Sequence, residues 1–216
     1  MTRPSDAGPA PRLTRRASVL GAATLIAAGA VLGAGPATQD PTAQQPLRLS
    51  ATAVSMAAVG PGTSSVLEIT ITRWASAKER QDLIATAVNG RDALLGALRA
   101  MPFHGRIAIP RWIGPDPYNA RLGWDLRYAA SAPLEDSGRR ITIVTDRYIG
   151  GLEEHEQPDA LAYPFTLVDI RLDKNGKGTG RFAAATNIEF DTKTNEMTVK
   201  NYSAEPVRLK NVRIEK

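Results

Sequence analysis

An α+β fold, with a mainly antiparallel, curled sheet of about eight strands and two short helices on one face, follows from three features of this 216-residue sequence. The run Val66-Leu67-Glu68-Ile69-Thr70-Ile71-Thr72 alternates with a period of two and is rich in β-branched residues, as a half-buried strand requires. Directly after it the period becomes helical, opened by the capping box Ser76-Ala77-Lys78-Glu79. The last fifty residues are short apolar stretches separated by turn residues, the pattern of a meander.

In chain order, a first strand is predicted near Leu47 to Val54 and a second at Val66 to Thr72, with Leu67, Ile69 and Ile71 on one face. A helix follows over Arg80 to Val88 and stops at Asn89-Gly90, where glycine supplies the conformation a helix end needs. A second spans Arg91 to Ala100, with Leu94, Leu95 and Leu98 on one side and Met101-Pro102 ending it. Both are amphipathic and short, so they are expected to cover one face of the sheet. Arg106 to Ile109 reads as a short strand. Gly123 to Ala130 and Arg139 to Tyr148 read as the arms of a hairpin turning at Leu134 to Gly138, with Trp124, Leu126 and Tyr128 on one side. The meander is assigned to Pro164–Leu172, Thr179–Phe190, Glu196–Asn201 and Pro206–Ile214, with a type I′ turn at Asn175-Gly176 and further turns at 192–195 and 203–205. In the last strand the apolar residues Val207, Leu209, Val212 and Ile214 slip phase near Asn211, which predicts a bulge. Such a sheet is strongly curled, in the manner of an open barrel.

Residues 1–37 belong to another class of segment. Arg12, Arg15 and Arg16 precede an uncharged run from Ala17 to Ala37, the order of a basic region, an apolar region and small residues found in export signals. Thr14-Arg15-Arg16 followed by Ala17-Ser18-Val19-Leu20 resembles a twin-arginine signal, although Ser18 and Leu20 depart from its usual pattern and leave the general secretory route open. The alternative is an uncleaved anchor. Six strongly apolar residues contribute only about −2 to −4 kcal/mol to membrane insertion, before four Gly and Pro residues are set against them. Gly35-Pro36-Ala37 offers the small residue needed before a cut, so a signal peptide over 1–37, a tether over 38–46 and one globular domain over 47–216 are expected. The expected location is extracytoplasmic, with the signal segment as the only membrane contact.

Removing residues 1–37 takes away four of the 27 basic side chains and one of the 22 acidic ones, leaving 23 against 21 and a net charge of +2 in place of +5. A nucleic-acid partner therefore loses its compositional support. The chain has no cysteine, which excludes disulfides and thiolate chemistry and requires the core alone to hold the fold.

The stretches Trp124-Asp125-Leu126-Arg127-Tyr128, Thr145-Asp146-Arg147, Tyr163-Pro164-Phe165-Thr166-Leu167 and Asp173-Lys174-Asn175-Gly176-Lys177-Gly178 resemble those of a group of uncharacterised exported bacterial proteins. The likeness spans most of the domain. It implies an exported single-domain protein and offers no catalytic residues to carry over.

No Walker, dinucleotide or nucleophile-elbow motif is present, and no cofactor is implied. Asp173-Lys174-Asn175-Gly176 opens like a calcium loop, but Lys177 stands where an oxygen ligand belongs and Ala184 where the closing glutamate belongs, so it reads as a turn. Glu153-Glu154-His155-Glu156 gathers carboxylates and an imidazole; with His104, the only other histidine, His155 and Glu154 would make a candidate metal set. A solvated acidic loop is the plainer reading. The segment Pro110 to Arg121 reads as a long loop without secondary structure. It carries Arg111, Trp112, Tyr118 and Arg121, residue types that dominate binding hot spots, next to Trp124 and Tyr128. Trp112 folding back over the sheet is the alternative. Two functions follow: a non-enzymatic domain binding an envelope protein or ligand through Arg111, Trp112, Tyr118, Arg121, Trp124 and Tyr128, or a hydrolase using the carboxylates at Glu153–Glu156, with or without a divalent metal.

Overall fold

The computed structural model describes residues 45–54, 64–111, 117–149, 165–184, 187–191, 196–201 and 207–216. Within them the chain forms strands β1 (Leu47–Val54) and β2 (Ser64–Ile71), helices α1 (Ala77–Ala87) and α2 (Arg91–Ala100), strand β3 (Gly105–Ala108) and helix α3 (Pro117–Leu122). Strands β4 (Trp124–Leu126), β5 (Tyr128–Pro133), β6 (Arg139–Thr145), β7 (Thr166–Leu172), β8 (Lys177–Ala184), β9 (Asn187–Asp191), β10 (Glu196–Asn201) and β11 (Val207–Glu215) follow.

Nine of these strands form one antiparallel sheet in the order β4-β3-β2-β1-β11-β8-β7-β6-β5. Its two edges, β4 and β5, are consecutive in sequence and separated only by Arg127, so the sheet curls into a nearly closed barrel. The α+β class and the curled antiparallel sheet are as the sequence predicts. Strands β9 and β10 form a separate two-stranded ribbon, so the single strand expected at Thr179–Phe190 is two.

Alternation sorts the side chains into two layers. Inward residues such as Leu49, Leu67, Ile69, Ile71, Ile107, Leu126, Ile141, Ile170 and Phe182 fill the barrel. Helices α1 and α2 lie on the outer face of its β5–β7 end, where Leu83, Leu94 and Leu98 meet Tyr128, Val144, Phe165 and Leu167. The capping box that opens α1 is formed: Ser76 accepts the Glu79 backbone N–H, and the Glu79 carboxylate accepts the Ser76 backbone N–H.

The hairpin expected over Gly123 to Tyr148 differs in its first arm. The chain bends at Arg127, whose backbone N–H donates to Val144 and whose guanidinium pairs with buried Asp146 at 3.3 Å. The bend reverses the side-chain phase. Leu126 points into the barrel, while Tyr128 lies in the helix-covered layer instead of sharing a face with it. The bulge predicted near Asn211 is present, with register shifts against both neighbouring strands and a left-handed φ of 51°. At Asn175-Gly176 only glycine is left-handed (φ 72°), and the Gly176 N–H bonds to the Asp173 carbonyl, giving a type I turn with a glycine bulge in place of type I′. The turns expected at 192–195 and 203–205 lie outside the described residues.

Candidate functional site

Of the six residues expected to form a binding face, α3 presents two. Pro117 opens this helix without forfeiting an intrahelical donor, and Gly123, in the left-handed region at φ 86°, ends it. A Cβ at Gly123 would stand 2.6 Å from the Ile107 carbonyl oxygen, so only glycine lets the chain turn directly into β4. The structureless loop expected from Pro110 to Arg121 thus contains a helix; proline before and glycine after a short helical stretch was the available signal. Ala120 is the buried anchor, 0% exposed, and its carbonyl accepts the Ile109 N–H at 2.8 Å. Tyr118, Arg121 and Leu122 stand at i, i+3 and i+4, one face of the helix. Tyr118 is 71% exposed and Leu122 48%, and Arg121 is exposed beside them. Leu122 was not singled out from sequence, where it looks like any core leucine.

The other four separate. Arg111 is exposed two residues beyond Ile109. Trp124 is partly buried and packs on the barrel core. Tyr128 is only 3% exposed and sits beneath the helices, where burial raises its hydroxyl pKa, partly countered by Arg80; it is a core residue, not part of an exposed face. Trp112 lies outside the described residues, as do Glu153, Glu154, His155 and Glu156, and Arg15 and Arg16 of the export signal.

His104 is fully buried where β2 leads to α1 and β3 begins. Its backbone N–H donates to Leu126, and its carbonyl accepts the N–H groups of Thr72 and Arg73, tying three segments together. Both ring nitrogens are engaged. Nδ1 lies 2.8 Å from the Pro102 carbonyl, which only accepts, so Nδ1 carries the proton and Nε2 accepts from Arg73 at 3.1 Å. Arg73 also bonds Glu79 at 2.6 Å, linking the imidazole to the α1 cap. Burial, and then the Arg73 charge, hold the His104 pKa below the ordinary value, so the ring is neutral at pH 7. Metal binding at His104 would require displacing one of these partners.

An open depression of about 400 Å³ lies at the turn end of the barrel, lined by Leu134, Ser137, Arg139, Asp173, Lys174 and Ile214 among others. The Asp173 carboxylate beside it accepts the backbone N–H groups of Asn175 and Lys177, which lowers its pKa and explains the calcium-like spacing as turn chemistry. Among the described residues no group of three His, Asp or Glu side chains could hold a metal ion, and no helix is long and apolar enough to cross a membrane. No protein-family model, curated protein or solved structure matches this chain.

Proposed function

We propose that this chain is an exported, non-enzymatic binding domain of the cell envelope, docking a partner through the outer face of α3. The observation that carries the reading is the one-sided exposure of that helix: Ala120 is wholly buried, while Tyr118 and Leu122 stand in solvent with Arg121 between them. An aromatic, a guanidinium and an aliphatic side chain on one short, anchored helix bring large contact area with little conformational entropy to lose. Export rests on the order of basic, apolar and small residues across 1–37.

A photo-crosslinking side chain placed at Tyr118 or Arg121 should capture a discrete partner in intact cells. The same group at Val88, which is 80% exposed on the α1–α2 corner, should not. Equal capture at Val88 would reject a role for α3. Export is tested apart from binding: replacing Arg15 and Arg16 with lysine blocks it if the twin-arginine route is used, and normal export of that variant rejects that route.

A further inference from the structure

The net charge of +2 that follows residue 37 conceals a segregated distribution. Along β7 the outward positions run Leu167, Asp169, Arg171, and along β8 Ala183, Arg181, Thr179, Lys177; the apolar ones lie toward the helix end and the cations beyond it. On β11 the outward positions are Arg208, Lys210 and Arg213, and on β6 Arg140 joins them. Strand register sets like charges directly opposite one another in three pairs: Arg208 with Arg181, Arg213 with Lys177, and Arg140 with Arg171. Directly opposed like charges destabilise a sheet. Among the described residues, two carboxylates stand with these seven cations: Asp169, bonded to Arg140 at 2.7 and 3.2 Å, and Glu215, bonded to Arg213 at 2.8 Å. Arg171, Arg181 and Lys210 form no ion pair with another described residue. Next to β11, β1 turns outward Arg48, which stands opposite Glu215, and then the uncharged Ser50, Thr52 and Val54, before Glu68 on β2.

We infer that the outer face of β6, β7, β8 and β11 is a binding surface for a linear, phosphate-bearing polyanion laid across the strands. The array spans three strand spacings, about 14 Å, which is much wider than one phosphate group. Five of the seven cations are arginines, whose planar donor forks match phosphate oxygens. The outward side chains among them, Thr142 and Thr179, are polar, so the face lacks the apolar groups that sink an interfacial protein into a bilayer, and the aromatics on which nucleobases stack. Neutralisation by the polymer relieves the repulsion across the three like-charged pairs.

The test uses the full chain, long-chain polyphosphate as probe, and binding measured between 50 and 300 mM salt, roughly the range over which counterion release is read. Substituting Arg171→Gln, Arg181→Gln and Lys210→Gln together should weaken binding on the order of a hundredfold at the lowest salt and lower the slope of log affinity against log salt by about 2. Substituting Lys78→Gln with Arg99→Gln, exposed cations on α1 and α2, should leave both nearly unchanged. The residues of 1–37 are common to all variants, so the comparison isolates the sheet face. The triple variant should also unfold at a temperature no lower than the parent, because it removes repulsion, which separates lost binding from lost folding. Three results would each overturn the inference: undiminished binding in the triple variant, tripolyphosphate binding as tightly as the long chain, or anionic phospholipid vesicles binding more tightly than polyphosphate at equal phosphate.

Discussion

Acid should loosen the end of the barrel held by His104, and the size of the effect follows from its burial. The ring is neutral in the folded protein because burial and the Arg73 guanidinium lower its pKa, whereas in the unfolded chain it titrates near its ordinary value of about 6.5. Below that pH the unfolded state holds a proton that the folded state does not. Stability contributed by the neutral ring is therefore fully present above about pH 6.5 and declines as pH falls toward the depressed folded pKa, by up to about 1.4 kcal/mol per pH unit. Between pH 6.5 and 5 the limit is about 2 kcal/mol, or about 1 M in a urea midpoint for a slope near 2 kcal/mol per M. The depressed pKa of Glu79, whose carboxylate caps α1 and binds Arg73, acts in the same direction but in the more acidic carboxylate range. Urea unfolding followed by tryptophan fluorescence at pH 5 to 8 should show the decline in the parent and a flatter profile in His104→Gln. Subtracting the two profiles removes every other titrating group, His155 included. A difference that is flat, or that grows as pH rises above 6.5, refutes the reasoning.

Tyr128→Ala should lose about 3 to 5 kcal/mol of stability, since it empties a site under α1 and α2, while Tyr118→Ala should stay within about 0.5 kcal/mol; chemical denaturation of both checks the division between core and surface. Gly178→Ala should fail to give soluble folded protein, because a Cβ there would stand 1.8 Å from the Arg171 carbonyl oxygen and 3.0 Å from the Leu172 Cα; recovery at normal yield and melting temperature would show that β7 and β8 are not packed this closely. Ser76→Ala should cost about 1 kcal/mol through loss of the α1 cap, seen as a fall of roughly 2 to 4 °C in melting temperature.

Where local chemistry decides an element, the sequence announces it. The strand expected near Leu47 to Val54 is β1, and the helix expected over Arg91 to Ala100, with Met101-Pro102 ending it, is α2. The Asn211 bulge is visible as a phase slip because an extra residue must interrupt a period of two. What the sequence conceals depends on contacts made across the chain. Trp124, Leu126 and Tyr128 form a perfect alternation, yet the bend at Arg127 is fixed by Asp146, nineteen residues away, and by the need to carry the chain from one sheet edge to the other. Nothing local distinguishes that break from a continuous strand.

The candidate surfaces follow the same division. Hot-spot residue types drew attention to Tyr118 and Arg121, which are exposed, and equally to Tyr128, which is not, because an aromatic side chain fits a core as well as an interface. Exposure of Leu122 is decided by the direction in which Ala120 anchors α3, a tertiary fact. The cationic face is hidden more thoroughly. Its residues come from four strands spread between Arg140 and Arg213, each occupying the ordinary polar position of an alternating strand, and acidic residues elsewhere bring the total charge close to neutral. Only the sheet order β11-β8-β7-β6 and its register turn seven scattered cations into one array. Composition bounds the field far from a protein. The field at its surface, which a polyanion would meet, is set by topology.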